Sequence, residues 1–518
     1  MERLTVYSDR RRGTIAPEVY GHFIEHLGHC IYDGIWVGKD SSIPNIGGIR
    51  KEAVDVFRAV AAPLIRWPGG YFAECYDWRD GVGPARKRPI RFHECEAGKE
   101  ETNAFGTHEF MQFCELTRAK PNLCANTATL TAQDAMNWVE YCNADGPTSF
   151  AQQRRKNGKA DPWHVEYWAI GNESYWLHRP QDYVQRYLLW RKNMRRVSPG
   201  IKCIASLVEP TWNPKPFSPH NDWLQEVIAG IRDNMELASL HLYSGQGNGD
   251  TFTTQDYWNV LAQIDQRNRL RIESFLGSVD AIVGNQNVKL ALDEWGLWHP
   301  GTSMTNNCEQ PCTQRDALFA ARYFHLLQRY PGRIGLATIA QSVNVLHALL
   351  RTDGSRTYRT PTFHVFEMFK EHQGGQAVES LHTTPQVAIE SPETVLTTDK
   401  SLDVVTASVS LSPDRQQMLI TFTNADLEKA FTYDIDVVGS FAPASGTSRV
   451  LTADPRAQNT FEEPERVKAR KHPVVFSDGK LSVQLPPCSI LSICLAGTEN
   501  GINASIKKSS VRREARHR

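Results

Sequence analysis

This 518-residue chain predicts a (β/α)8 TIM barrel followed by a C-terminal antiparallel β-sandwich, jelly-roll-like in character, on three observations. Over roughly residues 16–375 eight short apolar runs alternate with amphipathic stretches, as parallel strands alternate with crossover helices. After about residue 376 helical periodicity gives way to short alternating runs separated by turn residues. The ends of the eight runs are acidic, polar and aromatic, as the reactive rim of such a barrel should be.

In chain order, the run Leu4–Ser8 within residues 1–15 is expected to join the sandwich. The barrel strands are expected near Tyr20–Ile24, Pro63–Trp67, Asn122–Asn126, Glu166–Gly171, Ile201–Ser206, Leu237–Leu242, Lys289–Asp293 and Gly335–Ala340. Helices are expected near Thr107–Arg118, Ala132–Cys142, Pro180–Val197, Trp223–Arg232, Asp256–Gln266 and Gln314–Arg329. Sandwich strands follow at Val404–Leu411, Met418–Asn424, Phe431–Val437, Ser448–Leu451, Leu481–Leu485 and Ile490–Leu495, within residues 376–497. Residues 498–518 carry Lys507, Lys508, Arg512, Arg513, Arg516 and Arg518 and are expected to form a solvated, disordered tail.

The formal net charge is zero, which argues against a dedicated nucleic-acid or anionic-membrane surface. The polar, Arg-rich segment Met1–Gly13 lacks the apolar core of a secretory signal, and no stretch reaches the length of a membrane span. Eleven Cys without framework spacing, several inside apolar runs (Cys124, Cys203, Cys494), fit buried free thiols in a reducing cytoplasm. Cys308 and Cys312 share a loop but lack the partner motif of a metal site.

Two strand ends carry the chemistry. The run Tyr167-Trp168-Ala169-Ile170 stops at Gly171 and delivers Asn172-Glu173; Leu290-Ala291-Leu292 delivers Asp293-Glu294-Trp295. Two carboxylates on rigid strand ends, flanked by Trp168, Trp176, Trp295 and Trp298, suit glycoside cleavage. One carboxyl protonates the leaving oxygen while the other attacks or activates water. Against this stands the ordinary alternative of two rim acids making ion pairs.

Trp168-Ala169-Ile170-Gly171-Asn172-Glu173 and Leu292-Asp293-Glu294-Trp295 resemble the acid/base and nucleophile motifs of glycoside hydrolase family 51, the α-L-arabinofuranosidases. Gly21-His22-Phe23-Ile24-Glu25-His26, Arg66-Trp67-Pro68-Gly69-Gly70, Asp80-Gly81-Val82-Gly83-Pro84, Asn103-Ala104-Phe105-Gly106-Thr107, Asn137–Asn143 and Ala340-Gln341-Ser342-Val343-Asn344-Val345 resemble further blocks of that family, in its order. The resemblance implies a retaining, exo-acting enzyme that removes terminal arabinofuranose from arabinan- or arabinoxylan-derived oligosaccharides, with Glu294 as nucleophile and Glu173 as acid/base. It implies sugar contacts from Glu25, Asn172 and Gln341, a Tyr243 that orients the nucleophile, and a Trp298 that walls the pocket. It implies homo-oligomers. No metal or organic cofactor is expected, because two carboxyls suffice, and the cytoplasmic placement read from the thiols and the missing signal favours short imported oligosaccharides as substrate. Glu173 is then expected to have a raised pKa, through burial and the charge of Glu294.

The chain departs from the family at Tyr71, where many members carry Asn that contacts the sugar, and within Pro300–Cys312. Tyr71 remains a candidate pocket residue. His22-Phe23-Ile24-Glu25-His26 also matches an inverted zinc-peptidase motif, but it falls on a predicted strand where that chemistry needs a helix. The rival readings are a β-xylosidase or endo-β-1,4-glucanase on the same scaffold, a zinc hydrolase using His22 and His26, and a catalytically inactive sugar-binding protein.

Overall fold

The computed structural model describes residues 2–93, 95–96, 98–210, 222–389, 401–477 and 480–499. Residues 498 and 499, expected to open the basic tail, instead end the last sandwich strand, Ser489–Glu499, because they pair with Ala442 and Phe441; the rest of the tail lies outside the described residues. Eight parallel strands close into a barrel: β1 (Gly21–Phe23), β2 (Leu64–Trp67), β3 (Lys120–Ala125), β4 (Tyr167–Ile170), β5 (Lys202–Ala205), β6 (Leu237–Ser244), β7 (Lys289–Leu297) and β8 (Ile334–Ile339), with β8 pairing back onto β1. Side chains alternate across each strand, and one inward layer is small and apolar: Leu64, Cys124, Ala169, Ile204, Leu237, Ala291 and Leu336. Two residues further along the same faces the inward positions become polar, with Arg66, Ser239, Asp293 and Thr338 all buried. The barrel is therefore plugged by hydrocarbon below and by a charged layer toward the C-terminal ends of its strands.

Against β6, the β7 register steps from Ala291 opposite Ser239 to Glu294 opposite His241, three residues against two. Such a bulge re-aims a side chain. It lets consecutive residues Asp293 and Glu294 both turn into buried polar surroundings, where a regular strand would send one outward.

The helices Thr107–Thr117, Ala132–Asn143, Pro180–Val197, Trp223–Ile231 and Gln314–Leu327 lie where periodicity places them. The helix expected over Asp256–Gln266 starts at Thr254, passes through the π-turn Ile264–Asn268 and continues as Arg269–Val283. Helices Lys51–Ala59, Ser149–Lys156 and Pro361–Phe369 were not among those expected.

The second sheet has ten strands and encloses its own core, including Leu4, Val6, Val405, Ile420, Phe422, Tyr433, Leu491 and Ile493. Its N-terminal strand, Glu2–Thr14, pairs antiparallel with Gln376–His382 but parallel with Phe431–Val438. That parallel pair is a departure from an all-antiparallel sandwich. A strand contributed from the far end of the chain has no hairpin to fix its direction. The sandwich packs on Gln314–Leu327, whose fourteen residues are all buried. Gln314 Nε2 donates to the Cys488 carbonyl, and His325 meets the hydroxyls of Thr406 and Thr421. This helix follows β7, so the sandwich braces the strand that carries Glu294.

All eleven cysteines are free thiols. Cys494 is half-buried rather than buried, because it lies on the outer face of its strand near Gln417. No helix among the described residues is long and apolar enough to cross a membrane.

Candidate active site

The polar layer at the top of the barrel is a chain of charges. Arg66, 1% exposed, donates from Nη1 to Glu294 Oε1 at 2.8 Å and from Nη2 to Asn172 Oδ1 at 2.6 Å, with Asp293 3.7 Å from its Nε. Tyr243 donates its hydroxyl to the other Glu294 oxygen, Oε2, at 2.8 Å. Glu294 is thus held on one side by a guanidinium and on the other by a phenol. Together the two bonds fix the orientation of the carboxylate.

Glu173 follows β4 at φ 43°, in the left-handed region. Its Oε1 meets His241 Nδ1 at 2.9 Å, and the same nitrogen lies 3.5 Å from Glu294 Oε2. His241 Nε2 faces Asp293 at 3.4 Å, and Ser239 donates to the same carboxylate. Burial alone would lower the His241 pKa. The charge of Glu294, with the hydrogen bonds to Asp293 and Glu173, overrides this and lifts it to about 10. The imidazole is therefore a cation among three carboxylates.

That cation reverses the expectation for Glu173. Burial pushes its pKa up, but the hydrogen bond and charge of His241, aided by Tyr175 and Arg66, hold it below the ordinary carboxylate value. The proton that sequence reasoning placed on Glu173 rests one hydrogen bond away.

Glu25, at the end of β1, is buried and accepts from the Gly70 backbone at 2.6 Å and from Gln341 Nε2. Burial first and the charge of Glu294 second raise its pKa to about 7. Gln341, 1% exposed, keeps its Oε1 without a hydrogen-bond partner among the described residues. The Gly69-Gly70 pair is a steric requirement: a Cβ on Gly70 would lie 2.8 Å from Glu294 Oε1, and one on Gly69 would lie 2.7 Å from Glu25. Trp298 stands edge-on to Tyr243 with ring centroids 5.4 Å apart and is 38% exposed. Tyr71 opens the short 3-10 turn Tyr71–Glu74 and is 55% exposed, at the solvent side of Gly70.

The structure thus gathers Glu25, Asn172, Glu173, Tyr243, Glu294 and Gln341 into one connected set, with Trp298 against Tyr243 and Tyr71 beside the Gly70 turn. Sequence reasoning assigned no role to Arg66, His241 or Asp293. An arginine inside the apolar run Leu64-Ile65-Arg66-Trp67 was the available signal, because a charge there must meet partners within the barrel.

Glu173, His241 and Glu294 each offer a ligand atom within 4.8 Å of one another, the only such group among the described residues. The zinc-peptidase motif comes apart. His22 packs between Phe57 and Phe366 with its Nδ1 on Ser342, and burial drives its pKa to about 3. His26 instead pairs with Glu101.

Comparison with known proteins gives the lineage. Residues 56–257 match the α-L-arabinofuranosidase 1 domain model, and residues 293–489 match the α-L-arabinofuranosidase C-terminal domain model. An intracellular exo-α-L-arabinofuranosidase of Bacteroides ovatus is 32% identical over 508 residues, 95% of each chain. The chain belongs to the α-L-arabinofuranosidases of glycoside hydrolase family 51. Among solved structures, the family 51 arabinofuranosidase of Xanthomonas axonopodis pv. citri superposes with TM-score 0.87 at 30% identity, covering 96% of this chain and all of that one. The Thermotoga maritima α-L-arabinofuranosidase in its arabinose complex superposes with TM-score 0.83 at 29% identity, again over 96% of this chain and all of the other. The barrel and the sandwich are family features.

Proposed function

We propose that this protein is a retaining, exo-acting α-L-arabinofuranosidase in which Glu294 is the nucleophile and Glu173 the acid/base. The observation that carries the mechanism is the spacing of the carboxylates. Their nearest ligand atoms fall within 4.8 Å, in keeping with direct attack at about 5–5.5 Å and short of the roughly 6.5–9.5 Å that leaves room for an inverting water. Arg66 and Tyr243 orient Glu294 toward the anomeric carbon. As the glycosyl ester forms, Glu294 loses its charge, and with it the largest influence that makes His241 basic. The proton then moves across the 2.9 Å bond to Glu173 and on to the departing oxygen. In the second step Glu173 takes a proton from water, water opens the ester, and the restored Glu294 charge draws the proton back to His241.

Glu25, Asn172 and Gln341 supply hydroxyl contacts, with Trp298 and Tyr71 lining the entrance. No metal or organic cofactor is assigned a role. Catalysis is placed in residues 16–375, and residues 1–15 with 376–497 form the supporting sandwich. The Bacteroides relative's name supports an intracellular setting and exo action, and an intracellular setting favours short arabinofuranosyl oligosaccharides over polymer. The β-xylosidase and endoglucanase readings are not favoured by the arabinofuranosidase relatives.

The test is nitrophenol release from 4-nitrophenyl α-L-arabinofuranoside beside the β-D-xyloside and a cellulosic substrate, with and without chelator. Chelator-insensitive turnover of the arabinofuranoside, abolished in Glu294→Ala, is expected. Turnover of another sugar alone would overturn the substrate assignment, and binding without turnover would restore the sugar-binding-protein reading.

A further inference from the structure

We propose that Glu74 is a positioning residue for the acid/base, holding the Glu173 turn through the backbone of Asn172; this rests on the assignment of Glu173 above. Glu74 ends the 3-10 turn Tyr71–Glu74 that follows β2, and it is 1% exposed. Its Oε2 accepts from the backbone of Thr127 at 2.6 Å and of Ala128 at 2.9 Å, in the loop after β3. Its Oε1 accepts from the backbone of Asn172 at 2.8 Å, after β4, and from Thr127 Oγ1 at 3.0 Å. One carboxylate therefore joins the rims of three consecutive barrel strands.

The turn it holds is not one the chain adopts freely. Gly171 at φ 81° and Glu173 at φ 43° are both left-handed, with Asn172 between them. A residue with a Cβ disfavours that region, so Glu173 stays there only because its surroundings over-determine it. Among its backbone restraints are Gly171 N to the Ala125 carbonyl at 3.0 Å, Ser174 N to Ser206 Oγ at 3.0 Å, Trp176 N to the Glu173 carbonyl at 2.9 Å, and Asn172 N to Glu74. Of these the last alone has a charged acceptor, and it holds the backbone N–H of the residue immediately before Glu173, in the Gly171–Asn172 peptide. The packing is close: a Cβ on Gly171 would lie 2.8 Å from Thr127 Oγ1 and 3.0 Å from Glu74 Oε1.

The donor pattern also explains why a carboxylate is needed. Both oxygens face backbone N–H groups, so both must accept. A glutamine of the same shape has one acceptor, and its amide NH2 would confront N–H donors at one loop or the other. Burial raises the Glu74 pKa while the bonds from Asn172 and Thr127 oppose that rise, as donors to an anion do.

The experiment separates positioning from mere folding by leaving group. A displaced acid slows departure of a basic alkoxide but hardly affects 2,4-dinitrophenolate, which needs no proton. Glu74→Gln, with its thermal unfolding measured alongside, is expected to lose about 100-fold in kcat/KM on methyl α-L-arabinofuranoside, the scale of a 1 Å misplacement. On the 2,4-dinitrophenyl glycoside the loss should stay below about fivefold. Thr127→Val, which removes one bond and keeps the backbone donors, should show the same selectivity at a few-fold. An equal loss on both substrates, or none, overturns the proposal. Should Glu74→Gln not fold, Thr127→Val decides by the same criterion. Glu173→Ala is run in parallel: if it shows no leaving-group dependence, the acid/base assignment fails and the Glu74 proposal falls with it. If Glu173→Ala shows the dependence and the Glu74 and Thr127 variants do not, only the Glu74 proposal is lost.

Discussion

Replacing His241 with Asn tests where the catalytic proton rests. A pKa raised from 6.5 to about 10 means the buried imidazolium is favoured by its carboxylate neighbours by about 5 kcal/mol, at 1.36 kcal/mol per unit. While His241 is present, the His241–Glu173 pair shares one proton that leaves only near the His241 value, and the pair titrates as a unit. The alkaline limb of kcat/KM in the wild type should therefore lie well above pH 8. In His241→Asn the hydrogen bond and cation that lower Glu173 are gone, and burial, its largest influence, raises it. Glu173 then carries the proton alone, and the alkaline limb should drop by at least about two units, or about 3 kcal/mol. The assay is kcat/KM on 4-nitrophenyl α-L-arabinofuranoside from pH 4 to 10, with the 2,4-dinitrophenyl glycoside as a control that needs no acid. Stability should follow the same titration. A folded-state pKa above the unfolded one stabilises fully below pH 6.5 and loses that contribution as pH rises toward 10. Wild-type melting temperature should thus fall relative to the variant over that window. An alkaline limb that stays in place would refute the idea that His241 stores the proton.

Tyr243→Phe removes the 2.8 Å bond to Glu294 Oε2. With Glu294 no longer held on that side, kcat/KM should fall about 10- to 100-fold, the scale of a misplaced reacting group, and loss of a bond to a charged group, about 1.5–3 kcal/mol, should lower the thermal midpoint as well, read by steady-state kinetics beside calorimetry. Gly70→Ala brings a methyl to within 2.8 Å of Glu294 Oε1. It should cost at least about 100-fold in kcat while the protein remains folded by circular dichroism. Tyr71→Asn restores the residue type many family members carry at this position. It should shift KM among arabinofuranosides differing in aglycone more than it shifts kcat, measured across a small substrate panel.

The barrel was legible because its signal is local. Each strand is a short apolar run, and polar residues appear where the run meets the rim, so Glu173 and Glu294 could be found at strand ends. What escaped depended on contacts between strands. The β7 bulge that turns both Asp293 and Glu294 inward exists only relative to β6. The proton's location depends on His241 facing carboxylates from β4 and β7, which no spacing along the chain records. Glu74 lies in a turn that reads as an ordinary loop until its four donors are assembled. Tyr71 shows the opposite limit: its departure from the family is plain in sequence, and only the fold reveals that it lies toward solvent.

The most direct test of the double displacement is to trap its intermediate. Wild-type protein incubated with a 2-deoxy-2-fluoro-α-L-arabinofuranosyl donor bearing a dinitrophenolate leaving group should gain one fluoropentosyl mass. After proteolysis that mass should reside on the peptide containing Glu294, and pre-incubation with arabinose should slow its appearance. An unmodified protein that nonetheless hydrolyses the donor with inversion, or a label on any residue other than Glu294, would contradict the assignment.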